Sequence, residues 1–170
     1  MANTYTLIAS NTVGSGGATS IDFTSIPSTY TDLCFVWSMR QNTTDLSQYI
    51  RFNNDSGSNY SYRTLYGDGS NANSTSASSQ TGIAFWSTAH SGHTASTFSN
   101  TLMYVPNYTS SNQKSVSMDF VAENNGTTAP MALTVGLWTG TAAINRVTFV
   151  PFGANFVQYS SVYMYGISKS

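Results

Sequence analysis

Leu33-Cys34-Phe35-Val36-Trp37-Ser38-Met39-Arg40 is the stretch that decides the fold. Read with a period of two, Leu33, Phe35, Trp37 and Met39 fall on one side, and Cys34 and Val36 on the other. Both sides are apolar, which predicts a central strand covered on both faces. No helical periodicity of useful length occurs here or elsewhere in the chain. On the N-terminal side, residues 4–9 alternate, and residues 18–23 set Ile21 and Phe23 on one face. Ile26-Pro27 then marks a bend before the central run.

On the C-terminal side, residues 49–52 and 60–66 flank the polar segment 53–59 and read as a hairpin with a long loop. Residues 68–80 are Gly, Ser, Asn and Ala above all, and read as a surface loop. Further runs at 82–87, 97–105, 114–122, 131–138, 144–150 and 158–167 complete a set of about eleven strands with turn residues between them. No internal repeat is present. The expectation is an all-β fold, a two-sheet antiparallel β-sandwich of the jelly-roll kind, filling residues 1–170 as one domain.

Composition agrees with strands and excludes several function classes. Charged residues make up 8% of the chain, against about 25% in an ordinary soluble domain. Helices with exposed faces of Glu, Lys and Arg are therefore not expected, whereas Thr, Ser, Asn and Tyr suit the outer faces of sheets. The six Lys and Arg are scattered against seven Asp and Glu, for a net charge of −1. Without a basic patch the chain lacks the phosphate contacts that nucleic-acid binding needs. Without a basic amphipathic helix or a long apolar run, no membrane role is expected either. A net charge near zero favours association, so an assembled protein is expected. Cys34 is the single cysteine, which rules out an intrachain disulfide and reads as a buried structural thiol. Met1-Ala2-Asn3-Thr4 opens with no signal-peptide pattern, and synthesis and use without Sec-type export is expected.

Two sets of side chains bear on binding. In residues 131–138, Met131, Leu133, Val135 and Leu137 form an apolar stripe, while Ala132, Thr134, Gly136 and Trp138 form the opposite, smaller one. Near the C-terminus Tyr159, Ser161, Tyr163 and Tyr165 share a face against Val162 and Met164, and Tyr60, Tyr62 and Tyr66 form a comparable ladder. Tyrosine rings pack while their hydroxyls stay wet, which suits interfaces and outer sheet faces alike. The candidate interface residues are Trp86, Trp138, Tyr60, Tyr62, Tyr159, Tyr163 and Tyr165; the plainer reading is that they pair across strands and stabilise a sheet.

Catalytic and metal chemistry find little to use. The two histidines, His90 and His93, lie in the expected loop 88–95, and no Gly-x-Ser-x-Gly elbow exists, so no catalytic residue is singled out. Asp55 and Asp68 would face each other across a sugar only if a hairpin brought their loops together. His90-x-x-His93 supplies half of a zinc shell, which neighbours in a symmetric oligomer would have to complete; otherwise these are ordinary exposed histidines. Asn53-Asn54-Asp55-Ser56-Gly57-Ser58-Asn59 has oxygens at alternate positions like a calcium loop, but Thr64 stands where the bidentate Glu belongs. Turn chemistry explains that segment without a cation. No phosphate-cradling glycine loop leads into a helix, and no cofactor is expected.

Longer motifs carry a resemblance. Arg51-Phe52-Asn53-Asn54-Asp55-Ser56-Gly57-Ser58-Asn59-Tyr60-Ser61-Tyr62 continues into Leu65-Tyr66-Gly67-Asp68-Gly69-Ser70. With it go Tyr5-Thr6-Leu7-Ile8-Ala9, Ile26-Pro27-Ser28-Thr29-Tyr30-Thr31-Asp32-Leu33, Val105-Pro106-Asn107-Tyr108, Glu123-Asn124-Asn125 and the final Tyr165-Gly166-Ile167-Ser168-Lys169-Ser170. Together they resemble a small virion protein of tailed bacteriophages that infect marine and freshwater bacteria, cyanophages among them. The resemblance covers nearly the whole chain and implies a component of the phage particle, with no catalytic residues to carry over. The expectation is a non-enzymatic capsid decoration, or cement, protein that packs on the major capsid protein or other virion proteins as a homo-oligomer. The alternative is a tail-fibre or baseplate module that recognises bacterial surface glycans through Trp86, Trp138, Tyr163 or the segment 68–80.

Overall fold

Strands form where β-branched and aromatic residues alternate with small polar ones, and the computed structural model, which describes residues 4–168, contains twelve of them among those residues. They are β1 (Tyr5–Thr12), β2 (Ile21–Phe23), β3 (Asp32–Ser38), β4 (Ser47–Phe52), β5 (Tyr60–Gly67) and β6 (Ala72–Gln80). The second half adds β7 (Ile83–Trp86), β8 (Asn100–Val105), β9 (Lys114–Val121), β10 (Met131–Trp138), β11 (Val147–Pro151) and β12 (Ser161–Ile167). The clearest case is β9, buried and exposed by turns along its whole length. All ladders between these strands are antiparallel.

The larger sheet runs β1-β12-β3-β8-β9-β10-β5-β6 and the smaller β2-β11-β4-β7. The chain is a β-sandwich. With β5, β6, β9 and β10 set aside, two four-stranded sheets remain, β1-β12-β3-β8 and β2-β11-β4-β7, and the chain crosses between them at nearly every step, which is jelly-roll topology. The pairs β5–β6 and β9–β10 are insertions into that frame, and both join the larger sheet beyond β8.

Between the sheets lies an aromatic core. Leu33, Phe35, Trp37 and Met39 point into it and are 0–1% exposed. Phe149 receives Phe35 at 5.8 Å and Trp37 at 5.2 Å between ring centroids, both edge-on, and such pairs add about 0.5–1.5 kcal/mol each beyond burial. Trp37 Nε1 donates to the Ser87 carbonyl at 2.7 Å, so its one polar atom is satisfied. On the other face of β3, Cys34 is buried and Val36 half-buried, as the central run requires. A second, smaller cluster of Ala89, Phe120, Ala122 and Ala132, with Leu46, Tyr66 and Trp86 against it, lies beneath the inserted strands.

Two expectations about connectivity are corrected. The runs at 49–52 and 60–66 do not form a hairpin: β4 pairs with β11 and β7 in the smaller sheet, and β5 with β10 and β6 in the larger. Residues 53–59 form an arch between sheets. Asn53 and Asn54 turn the chain in the left-handed region (φ 51° and 59°), a conformation Asn tolerates. Asn53 Nδ2 donates to the Ala143 carbonyl at 2.8 Å, and its Oδ1 accepts from Asn145 N at 2.9 Å, which ties the arch to the entry of β11.

The segment 68–80 is likewise not a loop. Asp68 Oδ1 accepts from Ser70 N and Asn71 N at 2.9 and 2.8 Å, Gly69 takes φ 92°, and the chain returns as β6 alongside β5. The reason it reads as a loop is physical: β6 is an edge strand with no fully buried residue, so no inward face demands apolar side chains. Among the described residues no helix is long and apolar enough to cross a membrane.

Candidate docking surface

Strand β10 is inverted relative to ordinary amphipathic logic. Its small residues Ala132 and Thr134 are 2% exposed, whereas Met131, Leu133 and Val135 face solvent at 53, 57 and 51% exposure. The cause is close approach of β7. A Cβ built on Gly136 would lie 2.6 Å from Ile83 Cδ1 and 2.9 Å from Cγ1, so no larger residue fits at that position. Thr134 and Thr64 satisfy each other there, Oγ1 to Oγ1 at 2.9 Å.

Register then assembles the outward residues into bands across the sheet. One row reads Leu65, Leu133, Asp119, Leu102, Val36 and Tyr163 along successive cross-strand partners. The next reads Arg63, Val135, Ser117, Tyr104, Cys34 and Tyr165, and Met131 sits opposite Val121 one row the other way. Leu65, Leu133, Leu102 and Val135 line a shallow concavity of about 760 Å³. Contiguous exposed aliphatics on this scale mark interaction sites in soluble proteins. Most of this surface belongs to the inserted strands.

Its charges are few and placed on opposite sides of β10. Arg63 on β5 is exposed, and its guanidinium makes no ion pair or hydrogen bond among the described residues, where Arg146 with Asp22 forms the ion pair. Asp119 on β9 is exposed and accepts from Leu102 N at 2.9 Å through one oxygen, which leaves the other to solvent. Burial, and then the Asp119 charge, pushes the nearby Cys34 thiol up, so it stays protonated near neutrality.

The aromatic residues singled out from the sequence divide. Tyr60 and Trp138, 1% and 4% exposed, are core residues and not interface residues. Their rings stack at 6.4 Å between centroids, Trp138 Nε1 donates to Asp55 Oδ2 at 2.7 Å, and the Tyr60 hydroxyl accepts from Phe52 N at 2.9 Å. Both reach a polar partner in the arch from within, which is why they can be buried; burial raises the Tyr60 phenol above its ordinary range. Tyr62 and Trp86 are half-buried on the inner side, and Trp86 meets Tyr66 at 4.6 Å. Tyr163 and Tyr165 do lie on the outer face, Tyr163 at 40% exposure and Tyr165 edge-on to Tyr5 at 6.5 Å. Tyr159, 68% exposed with φ 72°, stands in the turn before β12. The residues that sequence reasoning missed are Leu65, Leu102 and Val121. For β10 the stripe was visible, but only the glycine opposite it signals which way it faces.

The remaining candidates for chemistry are tied into structure. Asp55 and Asp68 sit at opposite ends of β5, on the order of 24 Å apart for an eight-residue strand, and do not face each other. The carboxylate of Asp55 accepts from Gly57 N at 2.9 Å, Asn59 Nδ2 at 2.9 Å and Trp138 Nε1 at 2.7 Å. Although burial pushes the acid up, these bonds hold it below the ordinary carboxylate range. Its lone pairs therefore face N–H donors within the arch. The histidines are not ordinary exposed ones: His93 is 8% exposed, its ring lies 3.9 Å from that of His90 between centroids at a tilt of 33°, and His90 Nδ1 accepts from Gly92 N at 2.9 Å. Arg40 holds the same loop through the carbonyls of His93 and Thr97 at 3.0 and 2.9 Å. Burial, then His90 and Arg40, lowers the His93 imidazole to about 4. Among the described residues no three His, Cys, Asp or Glu converge as metal ligands would.

No family model matches this chain, and neither a curated protein nor a solved structure matches it.

Proposed function

We propose that the chain is a non-enzymatic structural protein of a bacteriophage virion, a capsid decoration protein that packs on the shell and stabilises it. One observation carries the docking role: two insertions enlarge one sheet of a jelly roll and present Leu65, Leu133, Met131 and Val135 to solvent. Burying aliphatic area yields roughly 25 cal/mol per Å² without any chemistry, and that is what joining copies of a decoration protein into an oligomer on a shell requires. The phage assignment rests on the sequence motifs around residues 51–70, and jelly rolls recur in capsid proteins.

The test is reconstitution. Purified protein added to capsids of the encoding phage lacking it should bind at a fixed stoichiometry and raise the temperature at which they rupture. Absence of binding to capsids, with adsorption to host cells instead, would replace this reading by a tail-borne receptor binder for surface glycans. Exposed Tyr159 and Tyr163 favour that second reading. Against it, the concavity is lined by apolar and small polar side chains with Arg63 and Asp119, and holds no aromatic ring to stack on a sugar.

A further inference from the structure

We infer that the outer face of β8, β9, β10, β5 and β6 is where a second copy of this chain packs, sheet against sheet about a two-fold axis. The inference rests on the docking role proposed above and names the occupant of that surface. A two-fold interface must complement itself: where residue i meets residue j, j meets i. This face has that property. Arg63 and Asp119 flank β10 on opposite sides, in neighbouring rows of the register, with Leu133 and Val135 between them. An axis lying over β10 and parallel to it sets β5 of one copy above β9 of the other. Arg63 then stands above the row of Ser117, and a second copy's Asp119 lies about 6.8 Å further along the strand, two residues at the antiparallel rise. A guanidinium on its flexible stem spans that gap, and the axis makes the pair twice.

Size agrees with this occupant. Five strands at about 4.8 Å spacing and about eight residues in length make a face of roughly 24 by 26 Å, or about 600 Å² per copy. The total of about 1,200 Å² lies at the lower end of stable specific interfaces, which start near that value. A dimer that forms in the micromolar range is the matching expectation. A net charge of −1 gives two copies little mutual repulsion to overcome. Sheets also pack face to face with strands nearly aligned, about 10 Å apart, as this arrangement needs. Dimerisation would leave β1, β12, the smaller sheet and the loops free to touch a shell.

Sedimentation equilibrium of the full chain across the micromolar range tests the inference. The wild type should show a concentration-dependent dimer. Leu133→Ser should weaken it at least tenfold while circular dichroism and thermal unfolding report a folded monomer. Arg63→Asp and Asp119→Arg should each weaken self-association at least tenfold, because each brings like charges together twice. Mixed in equal amounts, those two variants should form a heterodimer, since opposite charges then meet at both sites. At one site the introduced carboxylate faces the introduced guanidinium, and at the other the unchanged Asp119 faces the unchanged Arg63. A wild type that stays monomeric overturns the inference, and so does a dimer indifferent to Leu133→Ser, which would mean pairing through the β6 edge. Failure of the mixture to associate overturns the charge pairing. Capsid binding is scored separately: a monomer that still decorates capsids sinks this inference alone, and a dimer that ignores them sinks the proposed function alone.

Discussion

At Gly136 the interior wall of β10 meets Ile83 with no room for a methyl group, and this contact sets the direction of everything around it. Alanine there gains backbone order in a strand but drives a Cβ into Ile83. Overpacking of a core costs about 1–3 kcal/mol, so Gly136→Ala should lower unfolding free energy by an amount in that range. Ile83→Val removes Cδ1, the nearest obstacle. In urea titrations the double variant should be more stable than the two single losses predict, by at least about 0.5 kcal/mol; strict additivity would mean that the strand tolerates the methyl by moving. A second residue, His93, governs acid response. Its imidazole lies beside His90 and Arg40, with Asp45 of the segment before β4 acting on His90, and burial keeps it neutral down to about 4. The unfolded chain protonates His93 near 6.5, so between those values the unfolded state binds more protons. The His93 contribution to stability is therefore whole above pH 6.5 and drains away as pH falls towards 4. The melting temperature should drop across that window, and His93→Asn should flatten the drop; an unchanged profile would acquit the residue.

The strands differ in how openly the sequence declares them. Apolar on both sides, β3 must lie inside a sheet, and it does. Period two also marked β10, yet two equally regular stripes left its orientation open, because the aliphatic stripe faces out and the small one faces a neighbouring strand. For β6 nothing was legible: an edge strand with solvent on both faces needs only small polar residues, the same ones that loops use. The supposed hairpin of β4 and β5 failed for another reason. Turn residues announce a change of direction but not whether the chain returns to its own sheet or crosses to the opposite one, and the bonds of Asn53 and Asp55 that decide it join residues far apart in sequence. Substitutions on β10 test its orientation directly. Thr134→Val leaves Thr64 Oγ1 buried without its partner, which costs about 1–3 kcal/mol. Leu133→Ser, on a half-exposed side chain, should change monomer stability by only about 0.5 kcal/mol. Chemical denaturation of the two at concentrations where the chain is monomeric should separate them in that order. The reverse order would mean that the aliphatic stripe faces inward after all.

For the molecule as a whole, the two ends of the described chain meet: β1 pairs with β12 from Tyr5 opposite Ile167 onward, and Ser168 N donates to the Thr4 carbonyl at 3.1 Å. That edge of the sheet is built by residues far apart in sequence, so the order of the strands along the chain matters less than their contacts. A circular permutant makes this measurable. Joining residue 168 to residue 4 by a short linker and opening the chain between Gly69 and Ser70 cuts an exposed turn at the overhanging edge, where no core contact is lost. That protein should keep the parental spectrum, and its melting temperature should stay close to the parent's. A second permutant, opened between Ser56 and Gly57, cuts the arch in which Asp55 gathers its three N–H donors, one of them Trp138 Nε1 from within the core. Loosening a charged acceptor with a buried partner costs about 1–3 kcal/mol, and for a chain of this size each kcal/mol lowers the midpoint by about 2–4 °C. The arch permutant should therefore melt measurably below the turn permutant. Equal midpoints would show that the crossover merely spans the sheets, and that the side chains of 53–59 do not lock one sheet to the other.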